Sequence, residues 1–323
     1  MKMLVYMNIE RTVVLMKGFI VICCILLSGS NNLSGQYKTV AELAEILSSD
    51  EFEGRKPGSE GMRKATAFVE DYFRSLGVAP FFNDSYLDTL NVYGAESYNI
   101  VGILNKESPL DEYILIGAHL DHLGRSFPDT ASIYNGANDN ASGVTAVLKV
   151  AEELLKHEFS RKVLVVAFTG EESGLVGSRH LAKRLKSAEI PLSFMINFEM
   201  IGVPLSAGPG KVYITGFNMS DFAVVSNTML NEEFIVFEEV ETRMGLFRRS
   251  DNYPFYMEFN IPSHTVSTFD FRNYPYMHNV LDEFSQLDIP HMETIIDKMT
   301  RLIIALLQSE AEITIEEKVE QVM

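Results

Sequence analysis

Two spacings of apolar residues alternate along this chain. Apolar runs at 113–116 and 163–168, and one at 194–198 interrupted by Asn197, are short and rich in β-branched and aromatic residues, as expected of strands covered on both faces. Between them the spacing becomes helical. After Ser142, the residues Val144, Val147, Leu148, Ala151, Leu154 and Leu155 share one helix face, and a further helix follows Gly174 to about Leu185. Nearer the start, Val40, Leu43 and Leu47, then Ala65, Phe68, Val69, Tyr72 and Phe73, mark two amphipathic helices, the second closed by Gly77. Residues 99–104 read as a strand. Later strands are expected over 212–215, 234–237 and 261–268, a helix over 220–230, and a last helix from Pro290 that buries Met292, Ile295, Ile296, Met299, Ile303 and Leu306.

Strand, polar loop and helix repeat three times in the middle of the chain. That order predicts an α/β fold, a three-layer αβα sandwich around a central mixed, mostly parallel twisted sheet. A single catalytic domain is expected over residues 36–308, with an acidic tail over 309–323.

The first residues follow different rules. Lys17 precedes an apolar run over 18–27, and small polar residues follow it. This is the order of a secretory signal, and the run is too short to span a bilayer. Residues 1–35 are therefore expected to be removed on export, to the periplasm or outside the cell. Both cysteines of the chain, Cys23 and Cys24, lie in that run, so the mature protein would have no disulfide. Ile22 before Cys23 fits a lipid-anchoring site poorly. The net charge of −17 argues against nucleic acid and, once the signal is removed, against anionic membranes as partners.

Polar residues gather where the strands stop. His119 and Asp121 follow the first run, Asp139 precedes the helix at Ser142, Glu171 and Glu172 follow the second run, and Glu199 follows the third. His278 stands in a late polar and aromatic loop. A lone His-x-Asp after a strand carries little. Parallel strands, however, bring their carboxyl ends to one edge, and four such loops make a site. Two histidines with three carboxylates offer mixed nitrogen and oxygen donors that suit zinc, or a pair of zinc ions sharing one carboxylate.

The segments Gly-Ala-His-Leu-Asp-His at 117–122, Gly-Ala-Asn-Asp-Asn-Ala-Ser-Gly at 136–143, Gly-Glu-Glu-Ser-Gly-Leu-Val-Gly-Ser at 170–178 and Asn-Phe-Glu-Met-Ile-Gly at 197–202, with His278, resemble the di-zinc aminopeptidases of metallopeptidase family twenty-eight. The loop Glu-Phe-Glu-Gly-Arg-Lys-Pro-Gly-Ser-Glu-Gly at 51–61 matches as well. The resemblance implies two Zn2+ per chain: Asp139 bridging, His119 and Glu199 on one ion, Glu172 and His278 on the other. It implies Glu171 as general base for a hydroxide held between the ions, and peptides with a free amino terminus as substrates. It also implies a cis peptide at Asp139–Asn140. Asp121 would orient His119, and Asp282 would do the same for His278.

Glu199 stands where many relatives carry Asp, and Asn252 where many carry His. Tyr253, Tyr274 and Tyr276 are the candidates for an oxyanion stabiliser, and the sequence does not choose among them. His122, His180 and His264 fit no ligand position and are expected to be structural or to support the ligands. A glutaminyl cyclase-like single-zinc site of Asp139, Glu172 and His278 is the alternative reading.

Overall fold

The elements, in chain order, are α1 (Val40–Leu47), α2 (Glu60–Leu76), β1 (Ala79–Pro80), β2 (Leu87–Val92), β3 (Ala95–Leu104), β4 (Tyr113–His119), β5 (Gly124–Arg125), β6 (Ile133–Tyr134), α3 (Ser142–Leu154), β7 (Lys162–Phe168), α4 (Val176–Ser187), β8 (Leu192–Phe198), β9 (Val212–Ile214), α5 (Phe222–Leu230), β10 (Ile235–Val236), α6 (Glu239–Met244), α7 (Asn252–Phe259), β11 (Ser263–Ser267) and α8 (Ile289–Gln308). They come from a computed structural model that describes residues 37–126, 128 and 131–315. The expected signal segment lies outside the described residues, and so does the end of the acidic tail. All these elements belong to one unit, Thr39–Met323. Among the described residues no helix is long and apolar enough to cross a membrane.

The main sheet has nine strands in the order β1-β3-β7-β4-β8-β11-β9-β10, with β2 also paired to β3. Its centre, β7-β4-β8-β11, is parallel, while β3 and β9 join it antiparallel, so the sheet is mixed. Alternate residues of the central strands feed two cores. Ile114, Ile116, Val163, Val165 and Ile196 face one core, which also takes residues of α1, α2, α3 and α8. Leu115, Leu164, Val166 and Met195 face the other, under α4 and α7. This two-sided burial is why β4, β7 and β8 read as largely apolar runs.

Local chemistry sets the ends of the helices. Thr39 and Glu42 form a capping box at α1, Ser59 caps α2, and Gly77 closes α2 at φ 82°. Gly117 is required in β4, because a Cβ there would lie 2.4 Å from Cε2 of Phe168. The hairpin from β2 to β3 has no counterpart in the sequence reading. Its turn is Tyr93-Gly94, both at positive φ, and Tyr is not a residue that announces such a turn.

The chain runs from β4 to β7 on one side and then from β7 to β8 on the other. The carboxyl ends of β7, β4 and β8 therefore flank the point where the winding direction reverses, where a crevice opens in folds of this kind. The start of the acidic tail is not frayed. Thr314 binds the Asp221 carboxylate through both its N–H and its hydroxyl at 2.8 Å, and Ile315 bridges to Ser220.

Candidate metal centre

His119 is the last residue of β4 and pairs in register with Phe168 at the end of β7. Glu171 and Glu172 follow β7 by three and four residues, and Glu199 follows β8 directly. Asp139 comes from the turn Ala137–Ala141 that opens α3. Its neighbours fasten that turn to the segment after β8. Asn140 Oδ1 accepts the N–H of Met200 at 3.1 Å, and Asn138 Oδ1 accepts that of Gly202 at 2.8 Å. The Asp139–Asn140 peptide is cis, as the resemblance implied. His278 reaches in from the loop between β11 and α8, at φ 53°.

Asp139 stands between two imidazoles. Its Oδ1 is 3.3 Å from Nε2 of His119, and its Oδ2 is 3.3 Å from Nε2 of His278. His278 Nε2 is also 3.1 Å from Oε2 of Glu172. Glu199 lines the same cavity of about 380 Å³ as Asp139, Glu171, Glu172 and His278.

The tautomer of His119 follows from its partners. Nδ1 lies 3.1 Å from the backbone carbonyl of Asp121. A carbonyl can only accept, so Nδ1 carries a hydrogen, and in the neutral ring Nε2 then holds a lone pair. That lone pair points at a carboxylate oxygen, and Nε2 is buried without a hydrogen-bond partner. Two electron-rich atoms facing each other need a cation or a proton between them. The donor set fits a divalent ion well, with imidazole nitrogens and carboxylate oxygens together.

Electrostatics point the same way. Burial pulls His119 down, but Glu171, Asp139 and Glu199 hold it well above its ordinary value. Hydrogen bonding to Asp139 and Glu172 pushes His278 up to about 10. Burial, with like charge from Glu199, Asp251 and Glu172, holds Glu171 well above the usual carboxylate range. Burial alone would also raise Asp139, yet its contacts with His119 and His278 keep it well below. Burial pushes Glu199 to about 7, as it does Asp251. Carboxylates outnumber the cations here, so positive charge is what the site lacks.

Several supporting roles differ from expectation. The carboxylate of Asp121 is 4.0 Å from His119 Nδ1, because the backbone carbonyl takes that hydrogen bond instead. Asp121 Oδ1 accepts the N–H of Glu171 at 3.1 Å, so its carboxylate is tied to the Glu171 backbone and not to the His119 ring. Asp282 does not hold His278; its oxygens accept the N–H groups of Asn138 and Asp139. Tyr274 donates to Asp282 at 2.6 Å and Tyr253 lines a different cavity, and none of the three tyrosines lines the cavity that holds Asp139 and Glu171. Asn252 is buried, donates to the carbonyls of Phe247 and Ser263, and accepts from the hydroxyl of Thr265, which lines the cavity, so it stands behind the cavity wall.

His122 was placed outside the ligands, yet its Nδ1 is 2.7 Å from Glu172 Oε1, and its donors cluster with those of Asp139 and Glu172. Its place one residue after Asp121 was the available signal. Ser250, which donates to Glu199, and Arg55 had no signal beyond their motifs. Arg55 is fully buried and donates to the carbonyls of Leu47, Leu120, Asn135 and Gly136, so one guanidinium joins the His119 and Asp139 loops.

Known proteins resemble parts of this chain. A probable zinc metalloprotease of Pyrenophora tritici-repentis is 36% identical over 103 residues, 32% of this chain and 24% of that protein. An aminopeptidase of Pseudomonas aeruginosa is 36% identical over 112 residues, 34% of this chain and 19% of that protein. The chain thus spans under a quarter of these relatives' length. Among solved structures, the Legionella pneumophila LapA aminopeptidase superposes with a TM-score of 0.69 at 20% identity, covering 84% of this chain and 71% of that one. Porphyromonas gingivalis glutaminyl cyclase superposes with a TM-score of 0.64 at 16% identity, covering 83% and 97%. At such identities the likeness is one of fold. The family model for Peptidase family M28 matches residues 99–303, from β3 through most of α8 and every residue of the site, and on that match the chain belongs to Peptidase family M28.

Proposed function

We propose that this chain is an exported zinc aminopeptidase that removes N-terminal residues from peptides. The observation that carries the reading is Asp139, with one carboxylate oxygen facing His119 and the other facing His278. Two zinc ions would share Asp139, one held by His119 and Glu199 and the other by Glu172 and His278. Zinc so held lowers the pKa of water and polarises a carbonyl.

The remaining work falls to side chains. Glu171 sits in the cavity beside Glu172 and takes the proton of the attacking water as its oxygen bonds to the scissile carbonyl carbon. The same carboxyl gives that proton to the leaving amine as the carbon–nitrogen bond breaks. Its raised affinity for a proton suits a group that must hold one between the two steps. Glu171 and Glu199 also offer negative charge to the free α-ammonium of the substrate, which selects amino termini. Export rests on the signal pattern of residues 1–35.

The second reading is a single-zinc glutaminyl cyclase. Asp139, Glu172 and His278 would hold its one ion, with His122 beside them, its donor clustered with those of Asp139 and Glu172. Metal analysis with a peptide panel decides between them. Two zincs, cleavage of free peptides and none of their N-acetylated forms support the aminopeptidase. One zinc with cyclisation of N-terminal Gln supports the alternative. Two zincs with no peptide cleaved would sink the main reading.

A further inference from the structure

The cavity above the metal centre has two electrical ends. Its floor is acidic, with Asp139, Glu171, Glu172 and Glu199. Its rim carries three arginines. Arg179 comes from α4, while Arg248 and Arg249 end the short turn before Ser250. All three are exposed.

Most surface arginines elsewhere sit on carboxylates, as Arg74 does on Glu70 and Asp71, and Arg301 on Asp297, with Arg243 an exception. Arg179, Arg248 and Arg249 have no carboxylate within ion-pair distance among the described residues. The only partner of Arg179 there is the carbonyl of Gly174, 3.3 Å from its Nε. In a chain with 44 acidic and 27 basic residues, three such cations in one cavity are not what composition supplies. Nor do they neutralise the acidic floor, since none of them reaches Glu171, Glu172 or Glu199. Their forked donors are left to the open part of the cavity, and a guanidinium fork matches a carboxylate.

We propose that this rim binds a carboxylate of the substrate, so that the preferred substrates are short peptides with a free amine at one end of the cavity and a carboxylate at the other. The inference rests on the aminopeptidase reading. The carboxylate has two sources with the same chemistry, the C-terminal α-carboxylate of a dipeptide or an acidic side chain.

The test compares Leu-Ala with Leu-Ala-amide, Leu-Glu-amide and Glu-Ala-amide on the zinc-loaded protein. At least one carboxylate peptide is expected to show a KM about tenfold below that of Leu-Ala-amide, the scale of a charge-assisted contact. Added salt should shrink that advantage. Which peptide holds it identifies the source. The triple variant Arg179→Gln, Arg248→Gln, Arg249→Gln should bring the KM ratio to about one. Equal KM for all four peptides, or an advantage that survives the triple variant, overturns the proposal. If no peptide is cleaved, the aminopeptidase reading fails separately. Calorimetric binding of the same four peptides then decides the carboxylate contact: a preference lost in the triple variant supports it, and no preference overturns it.

Discussion

Asp282 grips the Asp139 segment from behind, with the N–H of Asn138 2.7 Å from its Oδ1 and the N–H of Asp139 3.0 Å from its Oδ2. Two backbone groups and the Tyr274 hydroxyl thus converge on one carboxylate, which fixes where the side chain of Asp139 can point. In Asp282→Asn, one acceptor becomes an NH2 group that faces an N–H. Disturbing such an outer partner typically costs about 10- to 100-fold in metal affinity. The expected result is a loss of that size in zinc retention against a chelator, with unchanged circular dichroism. Zinc retention within twofold of wild type would show that Asp282 does not place Asp139.

Glu171 is the proton carrier in the proposed reaction, and its N–H is anchored on Asp121. An amide cannot take up the proton of water. Glu171→Gln should therefore lower kcat by about 10²- to 10⁴-fold, the usual contribution of a positioned general base. Zinc content should not change, because the assigned ligands remain. A variant that keeps a tenth of the wild-type kcat would assign the base elsewhere.

The parts of this architecture that were legible in the sequence are those set by local rules. The residues of β4, β7 and β8 alternate between two cores, so their apolar runs betray them, and the acids and His119 follow where those runs end. The contacts of Asp282 and Arg55 were not legible. Asp282 meets Asn138 across 144 positions, and Arg55 meets Gly136 across 81, so no spacing announces either. The choice between the carboxylate and the backbone carbonyl of Asp121 as partner of His119 is likewise a matter of ångströms in the folded loop. The Tyr93-Gly94 turn escaped notice because a tyrosine at positive φ runs against its own backbone preference.

Arg55 gives a stability prediction. Its guanidinium is fully buried and spends its donors on four backbone carbonyls at 2.6 to 3.0 Å. Burial pulls its pKa to about 10, which leaves it charged at neutral pH. Lysine keeps the charge but has three donors on one nitrogen and cannot span carbonyls on separate loops. Arg55→Lys should cost about 2–4 kcal/mol in urea unfolding, since buried carbonyls lose partners. It should also weaken zinc retention, because Leu120 and Gly136 flank the loops that carry the site. A loss under about 0.5 kcal/mol, the range of an ordinary surface change, would contradict this account.

His264 makes stability depend on pH at a distance from the metal residues. It is buried, stacked on Phe222, with Nδ1 2.8 Å from the Thr215 carbonyl and Nε2 2.6 Å from the Ser220 hydroxyl. The carbonyl only accepts, so Nδ1 carries the hydrogen and Nε2 accepts from Ser220 in a neutral ring. Burial lowers its pKa from 6.5 to about 4, against the pull of the Thr215 contact. In the unfolded chain the imidazole takes up its proton near pH 6.5, whereas in the folded chain it stays neutral down to about pH 4. Between those values the unfolded state binds more protons, so folding stability falls as pH falls. The contribution is complete above about pH 6.5 and lost by about pH 4, and at about 1.36 kcal/mol per unit it amounts to roughly 3 kcal/mol. His264→Asn offers an NH2 donor to Thr215 and does not titrate. Its stability should start lower at neutral pH and then decline less steeply than wild type across that window. Urea midpoints measured through the window for both proteins provide the check, and parallel curves would mean that another group is responsible.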